Sequence, residues 1–330
     1  MKFQKKLEFL MNEFELINKY FSKLVKKSNA SLNLNDDVFF DKYNELVVSV
    51  DTYVNGIHFI NFNKPDLVIK KIIRSSISDL ICKGIKPKYY FLSGSGNKNF
   101  FNKNNLTKIR KSLNEEQKKY NIILGGGDTV YSNKLSFTVT SIGFSKKIIY
   151  RNKSKINDDI YVSGNIGDSF LGLLILQNKI KLNKKLSTYF TNQYYMPEIK
   201  YPLIKDINKF ATSSIDISDG LISDLEKLTN KQKNSYLLFL EKIPLSKNLN
   251  LVMKLKNLLK KNFISKGDDY EILFTSNVNN RKLIKKISYI KKIKITRIGK
   301  ILNRKQKSSI IDRNGRKIKL NNKGYVHSFA

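Results

Sequence analysis

Aspartates placed at turns and at the ends of apolar runs are the feature that most restricts the fold of this chain. Four short segments share this arrangement: Asn35-Asp36-Asp37, Ser49-Val50-Asp51-Thr52, Gly126-Gly127-Asp128-Thr129 and Asp216-Ile217-Ser218-Asp219-Gly220. Asp79 joins them from the last turn of a predicted helix. Each segment alone is also typical of a solvated turn or a helix cap. Together they predict an α/β fold whose loops bring several carboxylates to one place.

The grouping is informative because acidic residues are scarce. The 330 residues include 27 Asp and Glu against 62 Lys and Arg, a net charge of +35. Ten of the acids fall in six short segments, namely Asp36, Asp37, Asp51, Asp79, Asp128, Asp216, Asp219, Asp268, Asp269 and Glu271. Clustered carboxylates repel one another, so they need cations or must protonate. Oxygen ligands without a His or Cys array favour Mg²⁺ or Mn²⁺ over zinc.

The large positive charge also suggests a polyanion-binding protein, which is the alternative from another functional class. Lysines are spread along the whole chain, however, and no zinc-finger spacing, aromatic RNA-binding signature or bounded basic tail accompanies them. We therefore predict no nucleic-acid partner. Binding to nucleic acid with a steep salt dependence, and without ATP turnover, would favour the alternative.

Strands and helices alternate along the chain. In the first half we predict helices at 13–26, 66–83 and 106–120, and strands at 46–50, 89–92, 121–124 and 135–144. In the second half we predict strands at 159–163, 236–240 and 270–275, a helix from about residue 167, two helices flanking 213–220, and a hairpin turn at 312–315. The polar segment 146–157 separates the halves, so we predict domains at 1–147 and 148–330.

The cellular compartment is predicted from the low cysteine content and from the lack of a recognisable secretory signal or membrane span. Cys82 is the single cysteine, so no internal disulfide forms and a reducing compartment fits. The basic first residues are not followed by an apolar core typical of a secretory signal, and no apolar run is long enough to span a membrane. We predict a cytoplasmic protein with no membrane partner.

The run Gly125-Gly126-Gly127 before Asp128 is suited to phosphate, since glycines let backbone N–H groups approach a ligand closely. It is neither a Walker A loop nor a Gly-x-Gly-x-x-Gly fingerprint. The sequence therefore predicts phosphate and metal chemistry on another fold.

The order and spacing of these segments resemble the thiamine-monophosphate kinase family, within the superfamily of aminoimidazole ribonucleotide synthetase and selenophosphate synthetase. The resemblance covers nearly the whole chain, from Glu13-Phe14 to Gly324-Tyr325, and is most specific at Gly56-Ile57-His58-Phe59 and 216–221. It implies a two-domain aminoimidazole ribonucleotide synthetase-like fold with a C-terminal α+β domain. It also implies a homodimer in which the N-terminal sheets pair into a barrel.

The resemblance assigns roles to individual residues. The metal ligands it implies, for several Mg²⁺ ions, are Asp36, Ser49, Val50, Asp51, Asp79, Asp128, Asp216 and Asp219. The ATP contacts are Gly127, Asp128, Arg151 and Ser218, and the thiamine monophosphate contacts are His58, Glu271 and Tyr325. Val50 stands where the family usually has Thr, and Tyr325 where Trp is common.

The implied reaction is ATP-dependent phosphorylation of thiamine monophosphate to thiamine diphosphate, the last step of its biosynthesis. The acceptor phosphate, with a second pKa of about 6, is largely deprotonated and needs no strong base. We predict direct in-line transfer without a covalent nucleophile; Ser218 is the best contrary candidate. Another ATP-dependent member of the superfamily is the alternative, although Cys82 lies in a helix and not in the Gly-rich loop that selenophosphate synthesis would require.

Overall fold

The computed structural model describes residues 11–232 and 234–329 and confirms a mixed α/β architecture. In the first half the strands are β1 Met11–Asn12, β2 Phe39–Asp41, β3 Leu46–Val54, β4 Pro87–Gly96, β5 Ile123–Gly126, β6 Thr129–Tyr131 and β7 Ser136–Phe144. The helices are α1 Glu13–Leu16, α2 Pro65–Cys82 and α3 Lys103–Tyr120.

The second half contains the remaining strands and helices of the described chain. The strands are β8 Asp159–Ser163, β9 Ala211–Asp216, β10 Ser235–Phe239, β11 Ile272–Ser276, β12 Ile295–Leu302, β13 Ser309–Ile311 and β14 Ser328–Phe329. The helices are α4 Asp168–Leu176, α5 Lys184–Tyr195, α6 Ile204–Ile207, α7 Leu221–Thr229, α8 Lys247–Lys256 and α9 Arg281–Lys291.

The first sheet has the order β2-β3-β7-β4-β5, with β6 also paired to β4. Its two faces differ, because alternate side chains of a strand point to opposite sides. On β3, Val47, Ser49 and Tyr53 are buried beneath α2, whereas Val50 is 62% exposed on the other face. The described residues therefore cover only one face of this sheet.

Helix α2 lies between the two halves. Pro65 begins it, and Gly84, at φ +77°, follows its end, as the sequence predicts. Most of its side chains are buried, including polar ones. It reaches the second half through Ser78, whose hydroxyl donates to Asp216 Oδ2 at 2.8 Å. A polar helix face buried between two sheets indicates a site at their junction.

The second sheet has the order β13-β10-β12-β8-β11-β9. Strand β8 lies at its centre between β11 and β12, antiparallel to both. Strand β9 is at the edge facing α2, and its last residue, Asp216, lies opposite Ile272. The edge position of β9 directs Asp216 toward the first half. The domain division at 147/148 remains a prediction.

The first predicted helix, at 13–26, is wrong in its length. Asn12 and Glu15 form a capping box at its start, but α1 ends at Leu16 and a π-helical turn continues only to Phe21. Leu24, which the prediction places on the apolar face, is 77% exposed. Without packing partners, a short helix gains too little to propagate.

The described residues include no helix long and apolar enough to cross a membrane. The basic segment 1–8, read as lacking a signal, lies outside the described residues. Near the C-terminus, β14 pairs antiparallel with β1 in a separate two-stranded sheet.

Candidate active site

A cavity of about 370 Å³ opens where α2, the end of β9 and the C-terminal segment meet. Its lining comprises Asp51, Thr52, Tyr53, Ile57, His58, Ser75, Asp79, Phe170, Leu173, Asp216, Ser218, Asp219, Lys266, Gly267, Asp268, Tyr270, Asn322, Gly324, Tyr325 and His327. Seven residues assigned from the sequence are therefore brought to one cavity: Asp51, His58, Asp79, Asp216, Ser218, Asp219 and Tyr325.

Three carboxylates line this cavity, Asp216 being buried and Asp51 and Asp79 half-buried; we call Asp51, Asp79 and Asp216 the inner triad. Serine hydroxyls hold two of them, Ser49 Oγ lying 2.5 Å from Asp79 Oδ2 and Ser78 Oγ 2.8 Å from Asp216 Oδ2. Ser49 Oγ is also 3.4 Å from Asp51 Oδ2. These neutral donors orient the carboxylates without cancelling their charge.

The surroundings of the inner triad oppose ionisation. Burial raises the pKa of Asp51 to about 7 and that of Asp216 to about 8. Burial also raises the pKa of Asp79 well above its usual range, and the charges of Asp51 and Asp216 raise it further. Within the described part of the chain, no Lys, Arg or His forms an ion pair with any of the three.

This chemistry fits Mg²⁺. Among the described residues, no three His, Cys, Asp or Glu side chains are gathered closely enough to hold one ion by themselves. Mg²⁺ does not need such a cage, because it keeps several waters and takes one or two carboxylates together with substrate phosphates. Buried, unpaired carboxylates beside a cavity are therefore suitable partial ligands.

The other two carboxylates assigned to metal on this side of the fold already have cationic partners. Lys83 Nζ lies 2.7 Å from Asp36 Oδ1 and 2.7 Å from Asp37 Oδ2. Lys227 Nζ contacts Asp219 Oδ2, and lies 2.8 Å from Asp224 Oδ1. Lysines thus balance the charges of Asp36 and Asp219, in contrast to those of the inner triad.

Asp128 and Gly127 lie apart from the cavity lining. Strand β4 lies between them and β7, since Asp128 O accepts the Gly94 N–H and Leu92 pairs with Val139. Val139 in turn pairs with Asp51. Three strand spacings place this glycine loop roughly 14 Å from Asp51. The loop is exposed at the edge of the first sheet.

Val50 and Arg151 also lie outside the cavity lining. The Val50 side chain has no oxygen and points to the exposed face, so only its backbone carbonyl is available as a ligand. Arg151 Nη1 is 3.5 Å from Asp37 Oδ1, and its backbone N–H donates to Asp36 Oδ2 at 2.9 Å. Arg151 is therefore tied to the Asp36-Asp37 turn.

Aromatic side chains form one wall. The ring centroids of His58 and His327 are 5.4 Å apart, and those of Tyr325 and His327 are 4.9 Å apart. The Val54 N–H donates to His58 Nδ1 at 3.0 Å, which leaves the proton of a neutral ring on Nε2. Burial lowers the pKa of His58, which favours that neutral form. The wall combines flat rings with one imidazole N–H donor.

Glu271 does not line the main cavity. Its carboxylate accepts from Ser163 Oγ at 2.5 Å and lies 3.2 Å from Lys200 Nζ, in a smaller neighbouring cavity of about 110 Å³. Asp268 and Tyr270, from the same loop, face the main cavity instead. Both adopt positive φ, at +69° and +50°, which is costly for residues other than glycine.

Sequence reasoning gave no site role to three residues that line the cavity, Asp268, Lys266 and His327, or to Lys71, which contacts one of them. Asp268, noted only as part of an acidic cluster, is held by Lys71 Nζ at 2.7 Å and by the Tyr270 hydroxyl at 3.1 Å. Lys71 is fully buried, with Nζ 3.9 Å from the Tyr194 ring centroid. Lys266 and His327 also line the cavity. The run Gly-Asp-Asp-Tyr-Glu was a usable signal for Asp268, whereas one lysine among many gave none.

Comparison with known proteins agrees with this fold. Residues 34–145 match the family model described as AIR synthase related protein, N-terminal domain. The chain is 34% identical over 331 residues to the thiamine-monophosphate kinase of Buchnera aphidicola subsp. Acyrthosiphon pisum, covering 96% of this chain and 98% of that protein. It is 33% identical over 273 residues to that of Haemophilus influenzae, covering 80% and 81%.

Among solved structures, AaThiL complexed with AMPPCP and TMP superposes with a TM-score of 0.84 at 24% identity, over 99% of this chain and 100% of that one. The predicted aminoimidazole ribonucleotide synthetase-like fold is confirmed by this match and by the family model. The pairing of two N-terminal sheets into a barrel remains a prediction.

Proposed function

The chain belongs to the thiamine-monophosphate kinase family, and from that membership we propose that it transfers the γ-phosphate of ATP to thiamine monophosphate by direct in-line displacement, giving thiamine diphosphate and ADP. The observation that supports this most strongly is the inner triad, three carboxylates that line a ligand-sized cavity and form no ion pair with a basic side chain of the described residues. Carboxylates that have no ion pair favour the binding of cations. The phosphate groups of the two reactants would supply the remaining ligands of those cations.

The obstacle to this reaction is electrostatic, because an anionic acceptor must approach an anionic donor. Bound Mg²⁺ would neutralise the phosphate oxygens and stabilise charge in the transition state. Asp51, Asp79 and Asp216 would hold it, with Ser49 and the Val50 carbonyl at the β3 end. Buried side chains that are already oriented by serine hydroxyls cost little reorganisation when ligands bind.

Thiamine monophosphate is proposed to bind against the aromatic wall. Tyr325 offers a ring face and His58 an N–H donor on the same cavity. Glu271 is proposed to act through the loop 267–271, whose opposite side presents Asp268 to the cavity. The acceptor needs no strong general base.

ATP is proposed to contact Gly127, Asp128, Arg151 and Ser218. Asp128 and the exposed glycine loop would supply a further metal ligand and backbone donors. The distance of this loop from the inner triad suits a triphosphate lying between them. Ser218 lines the cavity, and we propose that it contacts ATP without forming a phosphoenzyme.

We further propose that the chain works as a cytoplasmic homodimer. The uncovered face of the first sheet carries one cross-strand row of Val50, Thr140 and Phe91, so apolar side chains of neighbouring strands lie together on it.

The decisive experiment is formation of thiamine diphosphate from thiamine monophosphate, ATP and Mg²⁺, followed by chromatography. We expect turnover by the full chain and its loss in Asp128→Asn. Absence of turnover, together with salt-sensitive binding to nucleic acid, would contradict the proposal and favour the polyanion-binding alternative. A labelled phosphoprotein at Ser218 would contradict direct transfer.

A further inference from the structure

Two lysines occupy positions where the family resemblance leads one to expect metal ions. The ammonium of Lys83 is fully buried and has three oxygen neighbours, Asp36 Oδ1, Asp37 Oδ2 and the Ser214 carbonyl, each at 2.7 Å. An ammonium has three N–H donors, so this set satisfies it completely. The Lys83 ammonium is thus surrounded by oxygen atoms, as a bound metal cation would be.

The Asp36 carboxylate, which contacts this ammonium, has few free lone pairs left to bind a metal ion. The Asp36 side chain is 4% exposed. Its Oδ1 also accepts the Asp37 N–H at 2.9 Å, and its Oδ2 accepts the Arg151 N–H at 2.9 Å. A divalent ion at Asp36 would have to displace these donors and lie next to a buried positive charge. Mg²⁺ would also have to lose the waters it usually keeps.

Asp219 repeats the arrangement with a second lysine. Lys227 Nζ bridges Asp219 and Asp224, and the backbone N–H groups of Asp219 and Gly220 donate to Asp224 Oδ2 at 3.0 Å each. The lysine side chain is 15% exposed, so its charge is held within the protein. Both outer carboxylates are thus neutralised by the chain itself, while the inner triad is not.

We propose that the ammonium groups of Lys83 and Lys227 are permanent cations of this active site, replacing metal ions at Asp36 and Asp219 and confining divalent ions to the inner triad and Asp128. The inference rests on the proposed function only for the expectation that divalent ions bind near the inner triad. It gives this chain fewer metal ions than the implied ligand list requires.

The test counts metal ions in the full chain by equilibrium dialysis with Mn²⁺ alone. Lys83→Met removes the charge while keeping most of the side-chain length, leaving Asp36, Asp37 and the Ser214 carbonyl as an oxygen-lined vacancy. We expect this variant to bind one more Mn²⁺ per chain than the wild type, and Mn²⁺ to raise its Tm by more. An unchanged or lower count would overturn the proposal.

The matched control is Arg74→Met, on helix α2, which ends immediately before Lys83. Arg74 is also a buried cation, but it pairs with the single carboxylate of Glu116, at 2.8 and 2.9 Å. Loss of stability without an extra Mn²⁺ is expected there. An extra Mn²⁺ in this control would mean that any unpaired buried carboxylate recruits metal, and would also overturn the proposal.

Two measurements keep the proposal testable if Lys83→Met does not fold. Lys227→Met, at a more accessible site, is expected to gain one Mn²⁺ in the same way. In the wild type, hydrogen exchange of the Arg151 N–H reports the Asp36 contact directly. We expect that amide to be protected from exchange in EDTA, and its protection factor to change less than about twofold when Mg²⁺ is added. A rise in the protection factor above roughly tenfold would show that metal orders the Asp36 turn.

These readouts are independent of catalysis. If the chain made no thiamine diphosphate, Mn²⁺ counts and amide exchange would still decide whether the lysines take the place of metal ions. Conversely, normal turnover with an extra ion bound at Asp36 in the wild type would leave the proposed function intact and overturn this inference alone.

Discussion

Individual aspartates in this protein have opposite charge environments, although they look alike in the sequence. Asp36, Asp219 and Asp268 each contact a lysine ammonium, whereas the carboxylates of the inner triad accept hydrogen bonds from serine hydroxyls and form no ion pair among the described residues. A buried carboxylate without a cation destabilises the fold unless it protonates or recruits one. The inner triad therefore lowers the stability of the metal-free fold, and we attribute its presence to a function that needs cations.

That trade predicts opposite effects of Asp79→Asn on stability and activity. The amide keeps the size of the side chain but removes one of three mutually repelling charges. We expect the metal-free protein to gain about 1–3 kcal/mol in unfolding free energy, measured by urea denaturation in EDTA. Thiamine diphosphate formation should fall roughly 100- to 1000-fold.

The control for this variant is Asp66→Asn, in the first turn of the same helix, where neither activity nor stability should change by much. If Asp79→Asn destabilised the metal-free protein, the inner triad would not be repulsive in the way described.

Asp159 gives a pH-dependent prediction. Burial alone would raise its pKa, but Arg281 and Arg297 lower it below the usual range through hydrogen bonds and charge. Arg281 Nε lies 2.6 Å from Asp159 Oδ2. Because the folded-state pKa is the lower one, the pair stabilises the fold above the unfolded pKa of about 3.9, and this contribution disappears as the pH falls through the folded value.

Arg281→Gln should therefore move the midpoint of acid unfolding to higher pH, measured by circular dichroism. At pH 7 the loss should stay below about 1 kcal/mol, since Arg281 is half exposed. Arg304→Gln, an exposed arginine of the C-terminal half, is the control. Superimposable acid-unfolding curves for both variants would contradict this account.

At the scale of elements, the glycine loop between β5 and β6 depends on a close approach to β4. A Cβ on Gly127 would lie 1.9 Å from the Leu92 carbonyl oxygen, which is impossible without moving the backbone. We expect Gly127→Ala to raise the KM for ATP by about tenfold or more, since the loop would shift from its phosphate-binding position.

Gly94→Ala is the matched control on the neighbouring strand, because its Cβ would meet Phe101 and Phe137 only at ordinary contact distance, 3.4 Å. Its KM for ATP should stay within about twofold of the wild type. An unchanged KM in Gly127→Ala would remove the loop from the ATP site.

The sequence was most predictive for elements with a strong apolar pattern. Helix α2 and strand β8 were predicted nearly to the residue, because one has apolar positions at helical spacing and the other is a short apolar run. Strand β9 was missed: Ala211–Asp216 is rich in Ser and Thr, whose hydroxyls are satisfied across the sheet, as between Ser213 and Thr275 at 2.7 Å. No local pattern reveals such long-range pairing.

The residues of the site also differ in how well the sequence predicted them. Turn aspartates were recognisable because they stand at turns and at the ends of apolar runs, although acidic residues are scarce in this chain. Lys83, Lys71 and Lys227 were not, because a buried lysine has the same local sequence as a solvated one. Their roles depend on contacts with Asp36, Asp268 and Asp219 from distant parts of the chain.

At the scale of the whole molecule, the uncovered face of the first sheet predicts the oligomeric state. Phe91 is 39% exposed in the centre of that face. We expect Phe91→Lys to shift a homodimer toward monomer in sedimentation velocity, because a buried ammonium would be unpaired in the interface.

Tyr289→Lys is the control, since Tyr289 is 85% exposed on α9, in the other half of the chain. It should leave the sedimentation coefficient unchanged. A wild type that sediments as a monomer at all concentrations tested would exclude the sheet face as a dimer interface.

The pairing of β1 with β14 brings both described ends of the chain beside the aromatic wall, where Tyr325 and His327 line the cavity. An affinity tag or fluorescent fusion appended after residue 330 would thus be attached only a few residues from His327, which lines the cavity. Such an addition is expected to interfere with substrate entry in a way that a label on helix α9, which does not line the cavity, would not. Purification handles for this protein should accordingly be removable, and kinetic values from tagged and cleaved samples should be compared before any variant is interpreted.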